Sequence, residues 1–322
     1  MASRLDVSLV VKVAKMYYLD GLKQEDISKQ IGISRSLISM ILTEAKETGI
    51  VEITIRDPFL NDDALCARFS KAFPGVSFAI VPTSSRDPDA LRKLVAQRAA
   101  DIVEHALAGG EVVALAWGRT CHEFVNSYRE NQDKKDVSVV PLIGGSFQTA
   151  PYFQINEMVR RFAEKIGGSP NFIHAPALAV DVKEQDMYMN SSSLQAIRDQ
   201  WKRMDIVVSG IGALPTTDDN DRETYAGEFE ISGHFAPRKV AGDICARYFL
   251  SDGEFVRDDY YDRIVGAPVE ELLAAKKTVC MASGAGKAEA VVGALRTGVV
   301  KTLVMDEPTA KAVFDAVVET RP

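Results

Sequence analysis

Cysteine is scarce in this chain. Its 322 residues hold four, Cys66, Cys121, Cys245 and Cys280, far apart and with no C-x-x-C pair. That spacing excludes a disulfide scaffold and a zinc finger, and it fits reduced thiols in a cytoplasm. Long apolar runs are also lacking: nothing approaches the roughly 18 consecutive apolar residues of a membrane span. Residues 1–6 show no basic region followed by an apolar segment, so no secretory signal is visible and the expected location is cytoplasmic. His105, His122, His174 and His234 stand isolated, and no metal or cofactor is expected. With 46% hydrophobic and 26% charged residues the balance is globular, which excludes a disordered tail protein.

Positive charge is in deficit, 38 basic residues against 45 acidic, for a net charge of −7. The deficit belongs to the body of the chain, because residues 1–56 alone carry eight basic and seven acidic side chains. Such a chain cannot hold nucleic acid through its overall field, so any contact must be local.

A local candidate exists at the start. Val10, Val13, Ala14 and Tyr17 follow the i, i+3, i+4, i+7 spacing of an amphipathic helix that Gly21 ends. A short helix from Lys23 buries Ile27 and Ile31, Gly32 turns the chain, and Ser34 is suited to cap a third helix carrying Leu37, Ile38, Ile41, Leu42 and Ala45. Two short helices around a glycine turn make a helix-turn-helix. Its second helix must show short polar and basic side chains at its N-terminal end, where base edges lie. Ser34, Arg35, Ser36, Ser39 and Thr43 meet that need, and Lys23 and Gln24 stand where a helix start meets the phosphate backbone. A three-helix packing unit with no nucleic-acid role is the plainer alternative. Alternation over residues 50–55 predicts a strand closing this domain.

Residues 57–75 read as a connector with a helical middle, and from 76 onward strand and helix signals alternate. Valine- and isoleucine-rich runs at 76–81, 111–116, 137–143, 205–211, 277–282 and 299–305 predict strands. Helical patterns at 87–108, 120–130, 154–167, 191–203, 286–297 and 307–318 separate them. The fold class is therefore α/β: an all-α helix-turn-helix domain (1–56), a linker, and a doubly wound, mainly parallel sheet (76–322) buried on both faces.

Ligands of such sheets sit beyond the carboxyl ends of the strands, so the loops there are the candidates. Trp117-Gly118-Arg119-Thr120 opens a helix with a glycine, a guanidinium and a hydroxyl, the makings of a phosphate cradle. Gly144-Gly145-Ser146 and Ser283-Gly284-Ala285-Gly286-Lys287 are further glycine loops, and Asp243, Asp306 and Glu307 supply carboxylates. Each has a plainer reading: Trp117 as packing, Arg119 as a surface ion pair, the glycines as turns, the acids as helix caps. Tyr152, Gln154 and Asn156 either contact ligand hydroxyls or start a helix. The last glycine loop is no P-loop, since Ala288 stands where a magnesium-binding hydroxyl is needed. Pro215 spoils Gly210-Ile211-Gly212 as a dinucleotide fingerprint, and Asp218, Asp219, Asp221 and Glu223 lack calcium-loop spacing.

Taken in order, these segments resemble the SorC family of bacterial sugar-responsive transcriptional regulators. The resemblance is carried by Gly32–Arg35 through Gly49–Val51, by Trp117–Thr120, by Pro141–Gly145, by Gly242–Ile244, and by Ser283–Lys287 with Leu303–Ala310. It implies a winged-type helix-turn-helix and an effector domain similar to phosphosugar isomerases, assembled as a tetramer on double-stranded operator DNA. It also implies a phosphorylated sugar or polyol as effector, its phosphate on Gly118-Arg119-Thr120, with Lys287, Asp243 and Asp306 lining the pocket. The chain departs from the family at Met40, where a basic residue is usual, and in Ser283–Gly286. The alternative function is an active phosphosugar isomerase or aldolase-like enzyme, but no acid/base pair stands at a recognisable spacing.

Overall fold

The structure is a computed structural model that describes residues 6–51, 61–134, 136–146, 149–214 and 239–319. The chain forms two compact units, residues 1–57 and 58–322. Most of the strand expected over 50–55, together with Asp218 to Glu223 and His234, lies outside the described residues.

The first unit holds α1 (Val7–Tyr18), α2 (Gln24–Ile31) and α3 (Arg35–Glu47). Val10, Val13 and Ala14 of α1 meet Ile27 of α2 and Ile38, Ile41, Leu42 and Ala45 of α3 in one buried cluster. Gly32 ends α2 at φ +80° and ψ +25°, backbone that a side chain disfavours, and the Ser28 hydroxyl donates to the Ile33 carbonyl to pin the turn. Ser34 caps α3 by accepting a hydrogen bond from the Leu37 amide at 3.2 Å. Val51 donates its amide to the Ala45 carbonyl at 2.8 Å and packs on the same cluster.

The second unit runs α4 (Asp63–Ala72), β1 (Ser77–Val81), α5 (Pro88–Ala106), β2 (Val112–Leu115), α6 (Arg119–Ser127), β3 (Ser138–Pro141), α7 (Ile155–Ile166) and β4 (Ser169–Pro170). It continues with α8 (Val182–Met189), α9 (Ser192–Trp201), β5 (Ile206–Gly210), β6 (Val240–Ile244), β7 (Arg247–Leu250), α10 (Asp259–Asp262) and α11 (Val269–Ala274). It ends with β8 (Lys277–Ala282), α12 (Ala288–Arg296), β9 (Thr302–Asp306) and α13 (Glu307–Glu319). Seven strands form a parallel sheet in the order β1-β9-β8-β5-β2-β3-β4. All four residues of β2 and the first four of β5 are buried, which is why these strands read as unbroken apolar runs. From β2 the chain steps outward to β3 and β4, and from β5 it steps the other way to β8 and β9. The winding reverses between β2 and β5, adjacent strands with Ala114 opposite Val207.

Two expectations need correction. Within the connector expected over 57–75, the described residues 61–75 pack into the second unit. The Asn61 carboxamide accepts from the Ile80 amide at 2.8 Å, the Asp62 amide donates to the Ile80 carbonyl at 2.9 Å, and Leu65 and Phe69 belong to the main core. Phe69 stacks on Phe78 with ring centroids 5.1 Å apart and meets Phe314 edge-on at 5.9 Å. The asparagine and aspartates flanking α4 read as loop because they cap and anchor it.

Gly242-Asp243-Ile244, expected in a loop, is instead part of the antiparallel hairpin β6–β7. Its turn is Cys245-Ala246 at φ +53° and +59°, with none of the Asn or Gly that usually marks such a turn. Asp243 supports that backbone by accepting the Ala246 amide on Oδ2 at 2.9 Å. No helix among the described residues is long and apolar enough to cross a membrane.

The packing of α4 yields a stability prediction. Phe69→Ala should cost about 3–5 kcal/mol, read by urea unfolding of the full chain. A loss below about 1 kcal/mol would return the segment to the status of a connector.

Candidate functional site

On the first unit, Arg35, Ser36, Ser39 and Thr43 are exposed at the start and along one side of α3. Arg35 lies 3.5 Å from Glu25 in an ion pair whose side chains are each about two-thirds exposed, a contact too weak to hold the guanidinium from another partner. Ser36 shares a hydrogen bond with Ser34 at 2.9 Å. Ser34 is engaged as the cap, and the Thr43 hydroxyl donates back to the Ser39 carbonyl at 3.1 Å, so these two have structural work besides any contact outward. Lys23 is exposed at the N-cap of α2 with no side-chain capping bond, and Gln24 begins the helix half-buried. Met40 is 63% exposed on α3.

On the second unit, the winding reverses between β2 and β5, and in open sheets of this kind such a reversal is where a ligand crevice is expected, beyond the carboxyl ends of the strands. Gly118 follows β2 at φ +113°, conformation that only glycine takes without strain, and donates its amide to the Tyr152 carbonyl at 2.8 Å. It caps α6, which begins with half-buried Arg119 and buried Thr120. Lys287, after β8, reaches across and donates to the carbonyl of Ile211, just past β5, at 2.7 Å. Burial lowers the Lys287 pKa to about 8; Asp243 opposes that shift, and the charges of Arg119 and Arg92 add to it. Burial raises Asp243 to about 6 against the Ala246 amide and the Lys287 charge, both of which favour the carboxylate.

The cluster thus joins Lys287, Arg119, Arg92 and Asp243 from four separate elements. Arg92, which also pairs with Asp89, was missed by sequence reasoning. Its signal was an arginine in the first turns of the helix that follows β1, on the ligand edge of the sheet. Among the described residues no group of three histidine, cysteine or acidic side chains is placed to hold a metal.

Other candidates have different work. Asp306 is fully buried: Oδ1 accepts the amide and hydroxyl of Thr309 at 2.8 and 2.7 Å, and Oδ2 accepts the Gly284 amide at 3.2 Å. It caps α13 and holds the 283–287 loop in place without an atom exposed to a ligand. Gly284 takes φ +100°, and Gly286 is exposed with open space around its Cα. Gly144 is required by the protein itself, since a Cβ there would stand 2.3 Å from the Pro176 carbonyl oxygen. The amides of Gly144 and Gly145 are occupied by the carbonyls of Val265 and Ala175, at 2.9 and 2.8 Å. Asn156 exchanges two hydrogen bonds with the Ile173 backbone, 2.8 and 3.0 Å, so it too is structural. Trp117 is buried against Phe153, centroids 5.6 Å apart.

A profile of the family described as "Putative sugar-binding domain" matches residues 57–315. The chain belongs to that family. Similarity to sugar-binding-family regulators extends over the helix-turn-helix as well. The sorbitol operon regulator of Klebsiella pneumoniae is 27% identical over 312 residues, 96% of this chain and 98% of that protein. The deoxyribonucleoside regulator of Bacillus subtilis is 25% identical over 307 residues, covering 95% and 97%. The crystal structure of full-length SorC from Klebsiella pneumoniae superposes with a TM-score of 0.71 at 25% identity, covering 95% of this chain and 98% of that one. The resemblance to the SorC family therefore holds along the whole chain.

The Asp243–Lys287 pair makes stability pH-dependent in this family member. Asp243 binds its proton more tightly folded than at its ordinary value of 3.8, so its contribution falls as pH rises from about 4 through about 6. Lys287 binds its proton less tightly folded, so its contribution rises with pH between about 8 and its ordinary 10.5. Asp243→Asn should flatten the acidic limb, which has a limiting slope of about 1.4 kcal/mol per pH unit. Urea unfolding from pH 4 to 7 measures it, and an unchanged slope would show that Asp243 does not titrate there.

Proposed function

We propose that the chain is a DNA-binding transcriptional regulator of a carbohydrate or polyol catabolic operon. A phosphorylated sugar or polyol binds the crevice at the β2–β5 reversal, and helix α3 reads double-stranded operator DNA. The protein works in the cytoplasm as a homo-oligomer, a tetramer on the family pattern. The observation that carries this reading is the meeting of Lys287, Arg119 and Arg92 beside the N-terminus of α6, where orphan backbone amides already favour an anion. The relatives' names support it, since they are regulators of sorbitol and deoxyribonucleoside genes. The enzymatic alternative loses one of its acid/base candidates, because both oxygens of Asp306 are engaged inside the core. In the crevice, Arg119, Thr120 and Lys287 hold the phosphate, Gly118 lets it approach the helix start, Gly284 and Gly286 shape the loop, and Asp243 accepts a hydroxyl or orients Lys287.

Regulation then follows from differential affinity of the effector for two states of the assembly. A panel of free sugars and polyols with their phosphates tests the effector half by thermal shift. At about 100 times its dissociation constant a ligand adds roughly 2.7 kcal/mol, a shift of a few degrees. Only phosphorylated compounds should produce it, and Lys287→Met should abolish it. Shifts by free forms alone would take the phosphate role away from Arg119 and Lys287.

The DNA half has its own test. Arg35→Ala should remove about 1–3 kcal/mol of discrimination between operator and scrambled DNA, measured by fluorescence anisotropy, with the thermal midpoint unchanged. Undiminished discrimination would dismiss α3 as the reading helix.

A further inference from the structure

Helix α8 has no buried residue, unlike every other helix of eight residues or more whose burial is fully described. It is nonetheless firmly seated. Tyr188 and Met189 pack against the main core, and the Gln185 carboxamide donates to the Ile264 carbonyl at 3.3 Å. Its N-terminus is closed as well: Asp181 accepts the Glu184 amide at 2.8 Å, and Glu184 accepts the Val180 amide at 2.6 Å. What α8 turns outward is Val182, Lys183, Asp186 and Met187, with Val182 49% and Met187 60% exposed; Val180, just before the helix, is 80% exposed. Exposed apolar side chains therefore stand at both ends of this face, with the charged pair between them.

The charges on that face specify the partner. At about 100° per residue, Val182, Asp186, Lys183 and Met187 follow one another across roughly 140° of the helix surface. Val182 and Lys183 lie toward one end of the helix, Asp186 and Met187 toward the other. The four therefore stand at the corners of a parallelogram, with the apolar pair on one diagonal and the charged pair on the other. A two-fold axis laid along the apolar diagonal sets Val182 and Met187 each against the same residue of a second copy. It also sets Lys183 opposite Asp186 of that copy, twice over. An axis along the charged diagonal would instead set like charges together. Of these two axes, the apolar diagonal alone makes the face self-complementary, as an isologous contact requires.

We propose that the outward face of α8 is where two copies of this chain meet about a two-fold axis, through Val182–Val182 and Met187–Met187 contacts and reciprocal Lys183–Asp186 pairs. This rests on the self-association included in the proposed function and gives it a location and a geometry. Sedimentation velocity of the full chain over a range of concentrations provides the test. Lys183→Asp and Asp186→Lys each set like charges together and should weaken association at least tenfold, shifting the distribution toward species of half the mass. The double reversal K183D/D186K recreates both pairs and should restore the original mass, which also shows that the single variants failed through charge and not through folding. A wild-type monomer at every concentration, single variants with wild-type mass, or a double variant that stays dissociated would each overturn the proposal. The phosphate-dependent thermal shift, run on the same samples, reports the crevice separately, so loss of the interface and loss of the effector reading remain distinguishable.

Discussion

The reversal of winding between β2 and β5 is the constraint on which the second unit's chemistry depends. In a parallel sheet each strand hands over to its helix at the same edge, and neighbouring connections normally fill the space above it. Where two adjacent strands send their connections to opposite sides, that space stays open. Here the loops around Gly118 and Ile211 follow the two strands, and Lys287, from the β8 side, is anchored on the Ile211 carbonyl at 2.7 Å. The β6–β7 hairpin enters from outside the sheet: Gly212 and Asp243 exchange backbone hydrogen bonds at 3.0 and 3.1 Å, which fixes the Asp243 carboxylate at the same place.

That placement is strained, and the strain has a local remedy. Cys245 and Ala246 both occupy left-handed backbone without being glycine, conformations that cost of order 1–3 kcal/mol each. They are also buried, so water cannot satisfy their polar groups. Asp243 answers the Ala246 amide with Oδ2, and Ser209 lies 3.5 Å from the Cys245 thiol. One carboxylate therefore serves the turn and the charge of Lys287 together. Its removal should disturb both, whereas Asp306 serves only the scaffold that holds the 283–287 loop.

The sequence was most legible where periodicity and burial coincide. The six valine-rich runs correspond to β1, β2, β3, β5, β8 and β9, and the Gly32–Ser34 corner is built as its residue types indicate. It was least legible where tertiary contacts override local chemistry. A Cys-Ala turn carries no turn signature, because Asp243 supplies what an Asn-Gly pair would otherwise provide. The helix of α4 was legible but its packing was not, because the polar residues before it bond β1, a partner 19 residues away in the case of Asn61 and Ile80. Gly144 showed that a glycine was needed but not for what: the approaching backbone is that of residues 175–176, not a ligand's. Arg92 was overlooked because its signal, an arginine in the first turns of the helix after β1, does not say toward which strand end that helix carries it.

The electrostatics of the crevice favour a charged ligand over a neutral one. Burial pushes the Lys287 pKa down to about 8; Asp243 opposes that shift, and the charges of Arg119 and Arg92 add to it. A neutral sugar relieves none of this, whatever hydrogen bonds its hydroxyls make. On the proposed function, a phosphate there would stabilise the ammonium form of Lys287 and, by the same field, disfavour the carboxylate of Asp243, whose pKa burial raises to about 6. Both effects take up protons, so the phosphate, the lysine and the aspartate act as one coupled unit. On the proposed function a phosphate would supply the binding energy common to the ligand class, and the remaining contacts would select among its members.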